Sequence, residues 1–145
     1  MKKVVYLIGS LKNRDLIIPL SNELEDLGYE AFSDWMCPGP DADDFLRDYQ
    51  RARGRNYKQI INSYAVQNIF HFDKHHIDRS DFVIMVMPAA KSCHLEFGYA
   101  VGSGKPAYIL FDGEPERVEV MQAFATDVFL SKAEMIEHLH LHHRS

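Results

Sequence analysis

The sequence predicts an α/β protein in which helices cover both faces of a mainly parallel, roughly five-stranded sheet. Two observations lead to this prediction. Short apolar runs rich in β-branched residues, at residues 3–8 and 82–87, have the uninterrupted apolar character of strands buried on both faces. Segments with apolar residues at helical spacing lie between such runs. The length of 145 residues suits one domain, spanning residues 1–145, around one hydrophobic core.

In the first half of the chain, a strand at residues 3–8 ends in the Gly9-Ser10 turn. Asn13 is placed to cap a helix that Gly28 ends. A short strand at 29–33 and a Pro/Gly loop at 34–40 follow. An acid-rich helix then starts at Asp41, and a basic break at 51–56 ends this part of the chain. The last predicted element of this half is a helix from about Tyr57 to Ile77, whose apolar positions are Ile60, Ile61, Tyr64, Val66, Ile69, Phe70 and Phe72.

In the second half, the strand at 82–87 ends at Pro88, and a polar loop at 91–94 leads into a helix at about 95–102. The later elements are a strand at 107–111, a short helix at 118–124, a strand at 128–130 and a final helix whose capping box pairs Ser131 with Glu134. Alternating strands and helices of this kind predict a three-layer sandwich with a Rossmann- or flavodoxin-like sheet.

Composition excludes several classes of function. The net charge of −5 argues against binding a nucleic-acid polymer, which usually needs a basic face. No apolar run reaches the roughly 20 residues that span a bilayer, so we expect no membrane partner. We interpret residues 1–9 as a buried first strand of a cytoplasmic protein rather than a signal peptide. Cys37 and Cys93 form no metal or redox motif, so we expect free thiols.

Eight histidines raise the question of a metal site. Four lie in the tail at 138–143, and His75 and His76 are adjacent. A metal site and a solvated helix end with surface histidines are both readings of this pattern. We favour the second and predict no bound metal, because no cysteine or carboxylate completes a coordination set.

Polar residues follow two of the predicted strands, where ligands bind in open parallel sheets. One group is Gly9, Ser10 and Asn13, and the other is Ser92 with Glu96. The first turn lacks the GxGxxG fingerprint and is not followed by Gly-Lys-Ser/Thr, so we predict neither a dinucleotide cofactor nor NTP hydrolysis, and we expect no cofactor. The turn alone would also fit a purely structural role.

Glu96 is the residue on which we base the chemistry. It is placed at the start of a helix, where an acid either favours the helix dipole or reaches a cleft as a nucleophile or general base. Trp35 either stacks on a base or closes the edge of the core. Asp73 is either a solvated acid or a proton donor, and Arg55 is a candidate phosphate ligand from the basic stretch.

Three stretches resemble the nucleoside 2-deoxyribosyltransferase superfamily, which includes base-exchanging transferases and nucleoside monophosphate N-glycosidases. They read VYLIGSL at 5–11, IDRSDFVIMV at 77–86 and HLEFGYAVGSGKP at 94–106. The resemblance implies that Glu96 is the nucleophile, that Tyr6 at the end of the first strand orients it, and that Asp73 helps to protonate the leaving base. It also implies that Met121 contributes to a neighbouring subunit's site, in a homodimer or larger homo-oligomer. Where the transferases have a second base-side acid, this chain has Ala90.

These observations lead to a functional hypothesis. The protein cleaves the N-glycosidic bond of a small nucleoside or nucleoside 5′-monophosphate, and the sugar passes to water or to another base. Gly9, Ser10, Asn13, Trp35, Arg55, Ser92 and Met121 are the expected substrate-binding residues. The alternatives are a nucleotide-binding or sensing module without turnover and an enzyme that hydrolyses the nicotinamide ribosyl bond of NAD.

Overall fold

Across residues 1–144, which the computed structural model describes, five strands form one parallel sheet. The strands are β1 (Val4–Ile8), β2 (Glu30–Phe32), β3 (Phe82–Val86), β4 (Ala107–Leu110) and β5 (Asp127–Phe129). Their order is β2-β1-β3-β4-β5, and each neighbouring pair is parallel. The predicted α/β fold class is confirmed.

The same residues contain six α-helices, of which the first five lie between strands and the last follows β5. They are α1 (Arg14–Asp26), α2 (Ala42–Ala52), α3 (Tyr57–Ile61), α4 (Tyr64–Arg79), α5 (Lys91–Gly102) and α6 (Lys132–His142). Short 3₁₀ helices lie at Leu11–Asn13, Asp34–Met36 and Val120–Phe124. None of the helices in this range is long and apolar enough to cross a membrane.

The sheet separates two apolar clusters, because neighbouring side chains on a strand point to opposite faces. Val5 and Leu7 of β1 join α1 and α6 on one face, and Tyr6 and Ile8 join α4 and α5 on the other. Every residue of β3 and β4 is buried, as expected for central strands covered on both sides. Tyr6, at 1% exposure, is therefore a core residue as well as a polar one.

The predicted helix from Tyr57 to Ile77 is wrong as a single element. The chain breaks at Asn62 and Ser63, where the Ser63 hydroxyl accepts from the Val66 N–H at 3.4 Å and donates to the Ile60 carbonyl at 2.7 Å. Ser63 thus ends α3 and caps α4. Of the seven predicted apolar positions of this helix, Ile60 is buried, whereas Ile61, Tyr64, Ile69, Phe70 and Phe72 are exposed.

Two expectations about the ends of elements also change. Helix α5 begins at Lys91 rather than Leu95, so residues 91–94 are its first turn and not a loop. The histidine tail is only partly solvated, because His143 stacks on Phe82 at 4.3 Å between ring centroids and lies 2.5 Å from the Tyr108 hydroxyl. Among residues 1–144, no three His, Cys, Asp or Glu side chains are grouped so as to hold a metal ion.

Candidate active site

Glu96 lies in the second turn of α5 and not at its start, which corrects the sequence-based placement. Pro88 ends the strand segment, and Ala90 takes the extended N-cap conformation, so the helix is already formed at Lys91. Cys93, Phe97 and Ala100 form the buried stripe of α5, and the half-buried Glu96 borders that stripe at helical spacing. A carboxylate is therefore held against the sheet by the packing of its apolar neighbours.

The Glu96 carboxylate is bound by a tyrosine of the central sheet. The Tyr6 hydroxyl donates to Glu96 Oε2 at 2.8 Å, across 90 residues of sequence. Tyr6 lies in the middle of β1 and not at its end, so this hydroxyl is held by the core itself. Only Oε2 is occupied by this bond, which leaves Oε1 free to face a ligand.

Burial changes the acidity of both groups. Removal from solvent raises the pKa of Glu96 to about 7, and the Tyr6 hydrogen bond opposes that rise while the nearby Asp73 adds to it. Burial and the Glu96 carboxylate raise the pKa of Tyr6 well above its ordinary value, so Tyr6 remains a neutral donor. Near neutral pH, a substantial fraction of Glu96 is an ionised carboxylate with one hydrogen-bond donor.

Asp73, on α4, is the second carboxylate of the site. It lines the same cavity as Glu96, together with Ser92 and Tyr99, and the cavity has a volume of about 340 Å³. Burial first, and the Asp43 carboxylate second, raise the pKa of Asp73 to about 6. Two carboxyl groups of raised pKa in one cavity are candidates for the nucleophilic and proton-transfer roles of an active site.

Asp73 also borders a second cavity, of about 480 Å³, whose wall includes Trp35. The Trp35 Nε1–H donates to the Leu7 carbonyl at 2.7 Å, and the indole packs against both apolar clusters. Both roles considered for Trp35 are thus compatible with its position. The indole closes the core at the end of β1 and presents a fixed surface to the cavity.

The Gly9–Asn13 turn lies beside the loop after β3, as the predicted topology requires. The Asn13 amide donates to the Pro88 carbonyl and bridges the two loops; it makes no capping bond to α1, although Asn13 is the N-cap residue. The Ser10 hydroxyl accepts from the Lys12 N–H at 3.2 Å. A Cβ on Gly9 would lie 2.4 Å from Ile17 Cδ1, so Gly9 permits close packing.

The remaining predicted substrate-binding residues are dispersed. Ser92 is exposed and lines the Glu96 cavity. Arg55 is half-buried, donates to Gln50, and lines neither of the two cavities. Met121 is 63% exposed and lines a separate groove of about 640 Å³ with Glu119 and Leu95. Leu95 borders both this groove and the Glu96 cavity.

Sequence reasoning missed three polar residues near Asp73. Asp43 influences the acidity of Asp73, although the sequence suggested only a favourable helix-dipole contact for it. Asp34 and Asn68 line the Trp35 cavity. Asn68 is on the same helix as Asp73, but a spacing of five residues does not indicate that two side chains share a helix face. Asp34 precedes Trp35 directly, but nothing in the local pattern indicated where its side chain lies.

Two solved structures share this fold. The 2-deoxyribosyltransferase of Bacillus psychrosaccharolyticus superposes with a TM-score of 0.59 at 18% identity, covering 92% of this chain and 90% of that one. The CMP N-glycosidase BcmB of Clostridium botulinum superposes with a TM-score of 0.56 at 19% identity, covering 96% and 98%. No protein-family model and no curated protein matches the chain. These two likenesses show a shared fold.

Proposed function

We propose that this protein is an enzyme that cleaves the N-glycosidic bond of a nucleoside or nucleoside 5′-monophosphate, with Glu96 as the nucleophile. One observation carries the proposal: Glu96, bound by Tyr6 at 2.8 Å, shares a cavity with a second carboxyl group of raised pKa, Asp73. The shared fold with a 2-deoxyribosyltransferase and a CMP N-glycosidase supports the same class of reaction.

In the first step, the free Oε1 of Glu96 attacks the anomeric carbon C1′. The bond from C1′ to the base nitrogen breaks, the electron pair leaves with the base, and Asp73 transfers a proton to the base. The transition state has oxocarbenium character, which a nearby carboxylate stabilises. The Tyr6 hydrogen bond keeps the carboxylate oriented and lowers its pKa against the effect of burial.

In the second step, an acceptor attacks C1′ and releases Glu96. When the acceptor is water, the C1′–Oε1 ester bond breaks, the sugar gains the hydroxyl group, and the water's other proton passes to the Asp73 carboxylate. When the acceptor is a second base, its nitrogen bonds to C1′ as the C1′–Oε1 bond breaks, its N–H proton passes to the Asp73 carboxylate, and a new nucleoside results. Ala90 stands where the transferases have a second base-side acid. This chain therefore has one fewer group that could accept the proton of an incoming base, and we favour water as the acceptor.

We further propose that the active form is a homodimer or larger homo-oligomer in which Met121 lies near a neighbouring subunit's site. Met121 is not in the Glu96 cavity of its own chain. Its 3₁₀ helix exposes Val120, Met121 and Phe124 by 63–68%. An apolar segment this exposed is typical of an association surface. Ser92 remains the candidate for a sugar or phosphate contact at the Glu96 cavity.

Base release from a panel of nucleosides and 5′-monophosphates tests the proposed reaction. We expect free base from at least one member. Glu96→Gln should lower kcat/KM at least about 10³-fold, because the amide cannot act as the nucleophile. Asp73→Asn should lower it about 10²–10⁴-fold. Glu137→Gln, at an exposed position of α6, is the matched control and should leave activity unchanged.

The products distinguish the candidate functions. Free sugar or sugar phosphate identifies a hydrolase, and a new nucleoside formed on adding a second base identifies a transferase. Nicotinamide released from NAD would instead identify the glycohydrolase alternative. Tight nucleotide binding with no released base, and no effect of Glu96→Gln on that binding, would contradict the proposal in favour of a sensing module.

A further inference from the structure

The Trp35 cavity is adjacent to the Glu96 cavity, and Asp73 borders both of them. If the proposed function holds, C1′ lies beside Glu96 and the proton donor Asp73 lies beside the base. The base then extends past Asp73, away from Glu96. The Trp35 cavity, at about 480 Å³, is large enough for a purine or pyrimidine ring. Trp35, fixed by its bond to the Leu7 carbonyl, provides a flat surface for stacking.

Two polar side chains of this cavity have hydrogen-bonding capacity to spare. Asp34 and Asn68 both line it, and within residues 1–144 neither side chain takes part in a hydrogen bond or an ion pair with another side chain. A carboxylate only accepts hydrogen bonds, whereas an amide both donates and accepts. Together they complement an amino group next to an unprotonated ring nitrogen.

We propose that the Trp35 cavity selects a base with an exocyclic amino group, such as cytosine or adenine. Asp34 accepts from the amino group, and the Asn68 amide donates to the neighbouring ring nitrogen. Uracil and hypoxanthine carry a carbonyl oxygen and a ring N–H at these two places. Their carbonyl would face the Asp34 carboxylate with no hydrogen between the two oxygens, so the hydrogen bond to Asp34 is lost and two partly negative atoms face each other.

Pairs of substrates that differ only by deamination test this selection. Cytidine and uridine, or adenosine and inosine, are compared as nucleosides and as 5′-monophosphates, so sugar and phosphate are identical within each pair. We expect kcat/KM for the amino base to exceed that for its keto partner by at least tenfold. Equal values for both members of the pairs would overturn the base-selection proposal while leaving the proposed cleavage intact.

Variants locate the selection in the named residues. Asp34→Asn can donate to a carbonyl, so it should reduce the amino-over-keto ratio at least fivefold without lowering activity on the keto substrate. Asn68→Ala should lower kcat/KM on the amino substrate. Asp26→Asn, exposed at the far end of α1, is the matched control and should keep the wild-type ratio. An unchanged ratio in Asp34→Asn would overturn the role of Asp34.

Cys37 gives a test of base placement that is independent of turnover. It is exposed and lines the Trp35 cavity, whereas Cys93 is 1% exposed. In the Glu96→Gln variant, saturating cytidine or its 5′-monophosphate should slow the reaction of Cys37 with N-ethylmaleimide at least threefold. The corresponding uridine compound, at equal concentration, should slow this reaction less. Unchanged labelling under conditions where binding is measured would contradict placement of the base in this cavity. Absence of base release in the wild type, by contrast, contradicts the proposed function and not this placement.

Discussion

At the scale of single residues, the site depends on a half-buried carboxylate beside a neutral phenol. Glu96 is half-buried and borders the buried stripe of α5. Burial alone favours its protonated form, and the Tyr6 hydroxyl favours the ionised form. The competition between these two effects places the pKa of Glu96 at about 7, so the nucleophile is available near neutral pH.

The first prediction concerns the dependence of kcat/KM on pH. Glu96 must be ionised and Asp73 protonated, so the productive pair holds one proton. With pKa values of about 7 and about 6, the singly protonated pair is most populated near pH 6.5, their approximate midpoint. We expect a bell-shaped profile centred there. Asp73→Asn should lose the alkaline limb, and a wild-type profile that is flat from pH 5 to pH 9 would contradict this pairing.

The second prediction concerns Tyr6→Phe. Loss of the hydroxyl removes the hydrogen bond that lowers the pKa of Glu96, so that pKa should rise. Because Glu96 already has the higher pKa of the pair, the alkaline limb of the profile should move to higher pH and the maximum should fall. Loss of a hydrogen bond to a charged group should also lower kcat about 10–100-fold. Tyr29→Phe is the control, because that buried hydroxyl donates to the Leu139 carbonyl at 3.3 Å on the other face of the sheet. An unshifted profile in Tyr6→Phe would show that the phenol does not set the acidity of Glu96.

At the scale of elements, the site depends on how the first loop of the sheet packs against α1. Gly9 leaves room for Ile17, whose side chain is fully buried. This packing contact is a sufficient reason for a glycine after β1, and no ligand is needed to explain it. A Cβ there would displace the end of the Ile17 side chain, whereas Trp35, at 3.8 Å, would stay in ordinary contact.

The third prediction follows from that packing. Gly9→Ala places a Cβ 2.4 Å from Ile17 Cδ1, so it should lower the free energy of unfolding by about 1–3 kcal/mol. Gly102→Ala, where a Cβ meets nothing within 4 Å, should change it by less than about 0.5 kcal/mol or increase it. Urea unfolding of both variants makes the comparison. Equal stability of Gly9→Ala and wild type would show that the loop adjusts freely.

The strands were the elements best predicted from the sequence, because burial on both faces leaves a continuous apolar run at β1, β3 and β4. The helices were predicted less well. Residues 91–94 are polar and follow a proline, so their pattern indicates a loop, whereas the structure forms a helix with no side-chain cap. The break at Ser63 was missed because apolar residues recur on both sides of it, and the periodicity does not show which of them face solvent.

The candidate site was predicted only in part for a related reason. Glu96, Tyr6 and Asp73 were assigned through a resemblance to a superfamily, and the structure brings all three together. Asp34 and Asn68 come from separate segments, and their meeting in one cavity depends on the path of the chain between β2 and α4. Arg55, chosen for its charge alone, lines neither cavity.

At the scale of the whole molecule, the sheet order determines where the chemistry occurs. β1 and β3 are neighbours, and the chain leaves them toward opposite faces through α1 and α5. The loops that follow these strands meet at the carboxyl edge, where Asn13 bonds to Pro88. This switch point is where ligands bind in doubly wound folds, so the fold and the proposed site are mutually consistent.

The fourth prediction concerns association of whole chains. If the exposed 3₁₀ segment lies against a second copy, Phe124→Glu should convert the oligomer into monomers and lower activity at least tenfold, because a buried charge opposes association. Sedimentation velocity and kcat/KM are measured on the same samples. Leu141→Glu, at a residue 68% exposed on α6, is the control for a surface charge. A wild-type protein that remains monomeric while fully active would contradict a shared site.

The most direct test of the central claim is mass spectrometry of the protein mixed with a 2-deoxy-2-fluoro nucleoside. Fluorine at C2′ destabilises the oxocarbenium-like transition state and slows turnover, so a glycosyl ester accumulates if one forms. We expect a mass gain of one fluorosugar on the peptide that contains Glu96, and none in Glu96→Gln. Release of the base with no adduct, or with the adduct on another residue, would contradict nucleophilic attack by Glu96.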